Sequence, residues 1–171
     1  YLLGFFRDRY PLFPRGAGGA WAEPRLPSVR DASDGRFHAR GDRASSGEPG
    51  SSMKPFLYAL ALEKGYSPAT ILPDIPLDFG FSELYIPQNF NNRFNGPIRF
   101  RIALASSLNV PAVYLLNQLG METYLEKLKE LHFESLENQT PGLGLALGNA
   151  EVSLFELVNA FSVFPKNGYY V

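Results

Sequence analysis

Pro55 stands between a polar run, Gly50-Ser51-Ser52-Met53-Lys54, and an unbroken apolar one, Phe56-Leu57-Tyr58-Ala59-Leu60-Ala61-Leu62. That position fixes a helix start. The first four N–H groups of a helix lack intrahelical partners, so proline is tolerated there and costs roughly 3 kcal/mol further in. The helix therefore begins near Ser51 or Ser52, runs to about Lys64 and stops at Gly65, a natural residue just past a helix end. Being apolar on nearly all sides, it belongs in the middle of a domain. Ser51 then lies at the positive end of the helix dipole, with Lys54 one turn along on the same face. Ser52 is two positions from Lys54 and does not face it.

The chain has 171 residues, enough for one domain with a real core. Its net charge is -1 and no basic stripe is interleaved with aromatics, which argues against a nucleic-acid surface. It has no cysteine, so disulfides and thiolate metal sites are excluded. His38 and His132 are the only histidines, a poor basis for a His triad or a zinc site; His132 reads as a cap near a helix end. The apolar run Phe56 to Leu62 is far short of the ~20 residues that span a bilayer, and no leader or anchor is visible.

Residues 1–45 carry scattered arginines and runs such as Pro11-Leu12-Phe13-Pro14 that break any helix; the composition predicts a poorly ordered arm. From Ser46 the pattern is mainly helical. Tyr66 to Pro97 holds five prolines and reads as a long irregular excursion. Helices are expected from Ile98 to about Ser106, from Pro111 to just before Gly120, and from about Glu122 to His132. The glycine-rich Gly142-Leu143-Gly144-Leu145-Ala146-Leu147-Gly148 predicts a loop or short strand. A capping box, Ser153-Leu154-Phe155-Glu156, opens a last helix to about Phe164.

A serine hydroxyl is a weak nucleophile until a base takes its proton. Lys54 is placed to be that base for Ser51, since burial lowers the pKa of an amine. Ser107 and Asn109 fall in a break between two helices, where side chains project into a cleft. Ser107 is suited to relaying a proton to a leaving group, and Asn109 to holding a substrate amide. The competing interpretation is an N-capping serine followed by a solvated lysine. Tyr85, Phe90 and Phe94 either wall such a cleft or pack locally, and Lys127 with Glu130 and Glu126 with Lys129 are spaced as surface ion pairs.

Ser-x-x-Lys with a Ser-x-Asn is part of the signature of penicillin-binding proteins and class A β-lactamases. The chain resembles the penicillin-binding transpeptidase domain, most closely that of bifunctional class A proteins of the 1C type. The likeness extends through Pro49 to Phe56, Tyr85-Ile86-Pro87-Gln88-Asn89-Phe90, Phe94-Asn95-Gly96-Pro97-Ile98, Ala103 to Ala112, and Gly142 to Gly148 with Glu151-Val152-Ser153-Leu154. It covers about Ser46 to Gly168. The resemblance implies an α/β fold of the serine β-lactamase/transpeptidase type, represented by its helical subdomain with most of the sheet missing, over residues 46–171. It implies Ser51 as the acylated nucleophile, Lys54 as its base, Ser107 as proton relay and Asn109 as a substrate contact, with neither cofactor nor metal.

The implied reaction is attack on the D-Ala-D-Ala bond of a peptidoglycan stem peptide and transfer of the acyl group to an amine, on the extracytoplasmic side of the bacterial inner membrane. β-Lactams would acylate the same serine, and membrane association would come through a segment not present here. The third motif, Lys-Thr/Ser-Gly, does not occur in these residues; Lys166-Asn167-Gly168 reads as a helix-ending turn. An impaired transpeptidase fragment is therefore expected. The alternatives are a non-catalytic helical remnant or a hydrolase, either carboxypeptidase or β-lactamase. Glu134-Ser135-Leu136-Glu137-Asn138 has the Glu-x-x-x-Asn spacing of the latter, yet sits where a polar exit from the preceding helix belongs.

Overall fold

The computed structural model describes residues 46–80, 85–166 and 168. The expectation of a poorly ordered arm over residues 1–45 falls outside them.

Pro55 does what its chemistry dictates. A 3-10 turn, Gly50–Met53, runs directly into helix α1, Lys54–Glu63, with the proline in its first turn. Every residue from Phe56 to Leu62 is buried, which makes α1 the axis of the molecule. Gly65, at φ +98°, ends it, and the Tyr66 N–H closes back on the Ala61 carbonyl at 3.1 Å. Phe56 is ringed by Phe133, Phe161 and Phe164, with centroids 5.6, 4.8 and 5.6 Å away, while Tyr58 meets Phe100 edge-on at 4.6 Å. Burying one such ring stabilises by about 1.5–3 kcal/mol.

The segment after α1 is irregular as expected over residues 75–80 and 85–95, but on either side of that stretch it forms an unexpected ribbon. Strand β2, Ile71–Asp74, pairs antiparallel with β3, Gly96–Arg99, in the register Ile71 to Arg99 and Asp74 to Gly96. Pro73 and Pro97 face each other across this ribbon. A two-stranded ribbon consists only of edges, and there a missing N–H is tolerated. Ile98 and Arg99 thus belong to a strand, and helix α2 spans Phe100–Ala105. Its start is set by pairing: Phe100 and Arg101 donate their N–H groups to the carbonyls of Thr70 and Pro68, at 2.8 and 3.2 Å.

Helix α3, Asn109–Leu119, and helix α4, Met121–Glu130, pack against α1 with Gly120 between them. Lys127 on α4 reaches both Glu130 (2.6 Å) and Glu63 (3.2 Å), and Lys129 lies 3.8 Å from Glu137. His132, at φ +60°, follows the end of α4, and Glu134–Leu136 forms a short 3-10 turn.

The glycine-rich run is neither loop nor strand. Leu143–Leu147 is a 3-10 helix that buries Leu145 and Ala146. Its leucine–glycine alternation imitates a strand, but three residues per turn serve the core better here. A two-residue strand β4, Val152–Ser153, pairs with β1, Ser46–Gly47, and helix α5, Leu154–Phe161, follows. The expected capping box is present, with Ser153 and Glu156 bonding reciprocally. The helix stops at Phe161 instead of Phe164, the last residues curling into turns that carry Phe164 onto Phe56.

Candidate active site

Lys54 is the first residue of α1, and its N–H bonds to the Ser51 carbonyl. Its side chain is 1% exposed and turns inward to the break between α2 and α3. There the Nζ group donates to the Ser107 carbonyl at 2.6 Å, to Asn109 Oδ1 at 2.7 Å and to Ser107 Oγ at 3.2 Å. An ammonium has three N–H groups, so this set uses all of them. Burial lowers the amine from its ordinary pKa of 10.5 to about 8.

The acceptors are presented by an unusual turn. Ser107 has a left-handed backbone, φ +51°, a conformation that costs a non-glycine residue about 1–2 kcal/mol. It occupies the position just past the end of α2, and the Leu108 N–H bonds back to the Ala103 carbonyl at 3.0 Å. This turn aims the Ser107 carbonyl at Lys54 and leaves the serine side chain exposed. Asn109 opens α3. Its Oδ1 takes the lysine, and its Nδ2 donates to the Gln88 carbonyl at 2.8 Å.

Ser51 lies in the 3-10 turn just before Lys54 and is exposed. Among the described residues its hydroxyl has no hydrogen-bond partner, so it is free for an incoming group. Ser52 bonds its hydroxyl to the Pro49 carbonyl, in keeping with its exclusion as partner to Lys54. The turn is anchored from two sides. Tyr124 donates its phenol to the Met53 carbonyl at 3.1 Å. On the other side Gly148, at φ +78°, lies so near Gly50 that a Cβ there would stand 2.2 Å from the Gly50 carbonyl oxygen.

The structure therefore brings Lys54, Ser107 and Asn109 into one hydrogen-bonded group; Ser51 precedes Lys54 by three residues in the adjoining 3-10 turn, and its hydroxyl is not hydrogen-bonded to that group. Two buried residues complete it that sequence reasoning did not single out: Asp74, 0% exposed, and Asn89, 3% exposed. Asn89 Oδ1 accepts the N–H of Asn109 at 2.8 Å, and its Nδ2 donates to Asp74 Oδ1 at 2.7 Å. A signal for this existed. The N-cap of α3 is Leu108, which has no side chain able to cap, so a cap must come from elsewhere in the chain. Tyr85 is half-buried and packs on the core, whereas Phe90 is fully exposed and Phe94 partly so. Among the described residues no group of His, Cys, Asp and Glu is arranged to hold a metal ion.

A comparison with protein families matches residues 38–171 to the penicillin binding protein transpeptidase domain. Penicillin-binding protein 1A of Pseudomonas aeruginosa is 37% identical over 128 residues, 72% of this chain and 15% of that protein. Penicillin-binding protein 1C of Escherichia coli is 38% identical over 123 residues, 70% of this chain and 16% of that protein. The crystal structure of penicillin-binding protein 1A from Haemophilus influenzae superposes with a TM-score of 0.66 at 33% identity, covering 71% of this chain and 18% of that one. The chain thus spans between 15% and 18% of the length of these three relatives. The expected α/β transpeptidase-like fold is the one it shares with them, seen here mostly through its helices. The chain belongs to the penicillin-binding protein transpeptidase family, as a segment of the class A type.

Proposed function

We propose that this segment carries the acylating half of a peptidoglycan D,D-transpeptidase, with Ser51 as nucleophile. The observation that supports this most directly is the buried Lys54 amine, held on Ser107 and Asn109 and titrating near pH 8.

A neutral amine keeps two N–H groups and gains a lone pair. The Ser107 carbonyl and Asn109 Oδ1 accept only, so they retain the two N–H groups. The Ser107 hydroxyl, the longest of the three contacts at 3.2 Å, either donates or accepts and so suits the third direction. The lone pair is then available to a hydroxyl. Ser51 Oγ attacks the carbonyl of the penultimate D-alanine, and its proton passes by way of the Ser107 hydroxyl to the lone pair of Lys54 Nζ. The Ser51 N–H lies in the first turn, where amides lack helical partners, and bonds the developing oxyanion. As the C–N bond breaks, the proton moves from Lys54 through Ser107 to the departing D-alanine nitrogen. An acceptor amine then attacks the ester and gives its proton to the same lysine, which returns it to Ser51 Oγ as the C–O bond breaks. A β-lactam acylates Ser51 by the first half of this sequence. Such chemistry belongs on the extracytoplasmic side of the membrane, where stem peptides are found.

Taken by themselves the 171 residues contain no Lys-Thr/Ser-Gly run to hold the substrate carboxylate and supply a second oxyanion N–H. Acylation by them is accordingly slow. The test is covalent labelling by a fluorescent penicillin, with wild type against Ser51→Ala. A slow adduct that disappears in the variant supports the proposal. Equal labelling of both, or none over many hours at saturating probe, leaves a non-catalytic helical remnant. Steady hydrolysis of the probe makes the protein a hydrolase, and labelling at the rate of an intact enzyme removes the claim of impairment.

A further inference from the structure

Helix α3 starts without a cap of its own, yet it must hold Asn109 in one place. Its first two N–H groups go to Asn89 Oδ1, from Asn109 at 2.8 Å and from Val110 at 3.5 Å. The Asn89 Nδ2 donates both its protons, to Asp74 Oδ1 at 2.7 Å and to the Arg93 carbonyl at 2.8 Å. The other Asp74 oxygen accepts from Asn95, through its backbone N–H at 2.9 Å and its Nδ2 at 2.6 Å. Asp74 and Asn89 are both buried. A carboxylate taken out of water requires such donors, and they fix its orientation in turn.

We propose that the Asp74–Asn89 pair is the positioning device of the site, fixing the start of α3 and through it the Asn109 and Ser107 acceptors around the Lys54 amine. This rests on Lys54 being the base of the reaction proposed above. Neither residue touches substrate. With Asp74 opposite it, residue 89 must be an amide, since only an amide accepts from the helix and donates to the carboxylate at once. No charged side chain contributes to the depression of Lys54, for which burial is the cause. The ionisable group that feels Asp74 is Tyr58 on α1, held above its usual pKa by burial first and by that carboxylate second.

The experiment reads the titration of Lys54 by NMR of the folded chain with 13C,15N-labelled lysine, through the Cε and Nζ shifts, assigned through Lys54→Arg and without any substrate. In Asn89→Asp a second carboxylate faces Asp74, the cap is expelled and water reaches the amine. The Lys54 midpoint should rise by at least one pH unit towards 10.5, cutting the neutral fraction at pH 7 about tenfold. The exchanged pair, Asp74→Asn with Asn89→Asp, restores one donor and one acceptor at the shared bond and should return most of the shift. Asp74→Asn alone, which keeps volume, should shift the midpoint in the same direction. In the wild type, the Asn109 and Val110 amides should be protected from hydrogen exchange as strongly as the interior of α3. A midpoint unchanged in folded variants, or fast exchange of those two amides, overturns the proposal. Absence of penicillin labelling with these results in place counts against the catalytic assignment alone.

Discussion

Replacing Gly148 by alanine tests whether the backbone around Ser51 is set by contact with the 3-10 helix Leu143–Leu147. An added Cβ would lie 2.2 Å from the Gly50 carbonyl oxygen, 2.4 Å from its nitrogen and 2.6 Å from its carbonyl carbon. All three are backbone atoms, so no side chain can swing away. Two costs add. Holding alanine at φ +78° costs about 1–2 kcal/mol, and forcing a methyl into a filled space costs typically about 1–3 kcal/mol. A loss of about 2–5 kcal/mol follows if the turn stays in place, or roughly 4–20 °C in melting temperature for a domain of this size. If the turn yields instead, it must retreat about 1 Å to reach ordinary contact, carrying the Ser51 amide with it. A misplacement of that size costs about a hundredfold in rate. Thermal denaturation followed by circular dichroism, with penicillin labelling in parallel, measures both. Gly142→Ala is the control, because a Cβ there meets nothing within 4 Å and the residue is not left-handed. A Gly148→Ala protein that melts like Gly142→Ala and labels at the wild-type rate would refute the reasoning.

With Lys54 near 8, about a tenth of the amine is neutral at pH 7, some three-hundredfold more than for a free lysine, so labelling should climb with pH and level off above about 8. The folded state also releases this proton more readily than the unfolded chain. Between about pH 8 and 10 the unfolded state therefore binds more protons and stability rises, until the upshifted phenols of Tyr58 and Tyr124 reverse the trend; denaturant midpoints should show this rise in wild type and lose it in Lys54→Met. Ser107→Gly relieves the left-handed strain and should gain up to about 1 kcal/mol while losing the hydroxyl proposed as relay, so that it melts higher and labels more slowly than wild type.

What the sequence disclosed was whatever is decided within one turn of chain. Pro55 placed the start of α1, Gly65 its end and Ser153 with Glu156 the start of α5, because each acts on neighbouring backbone. The β2–β3 ribbon stayed hidden: Pro73 and Pro97 argue against strands, and only their pairing explains why both are tolerated. The Gly142–Gly148 run misled through its alternation, since glycine marks a strand bend, a turn or a close approach with equal ease. At the site, the residue types at 51, 54, 107 and 109 were legible as chemistry, but the meeting of Lys54 with Ser107 and Asn109 was not. Asn89 was the least visible. Its cap acts across 20 residues of chain, and the uncapped Leu108 signals only that a cap is needed, not which residue supplies it.

Lys54 takes its partners from 53 and 55 positions further along the chain. Isolated helices, even fully wound, leave that nitrogen in water with an ordinary affinity for its proton. Docking must come first, and closing a loop of this length carries an entropic penalty that only the assembled interior offsets. On the proposed chemistry, covalent capture of Ser51 would therefore be a census of native molecules, its yield reporting how many chains in a preparation have completed folding.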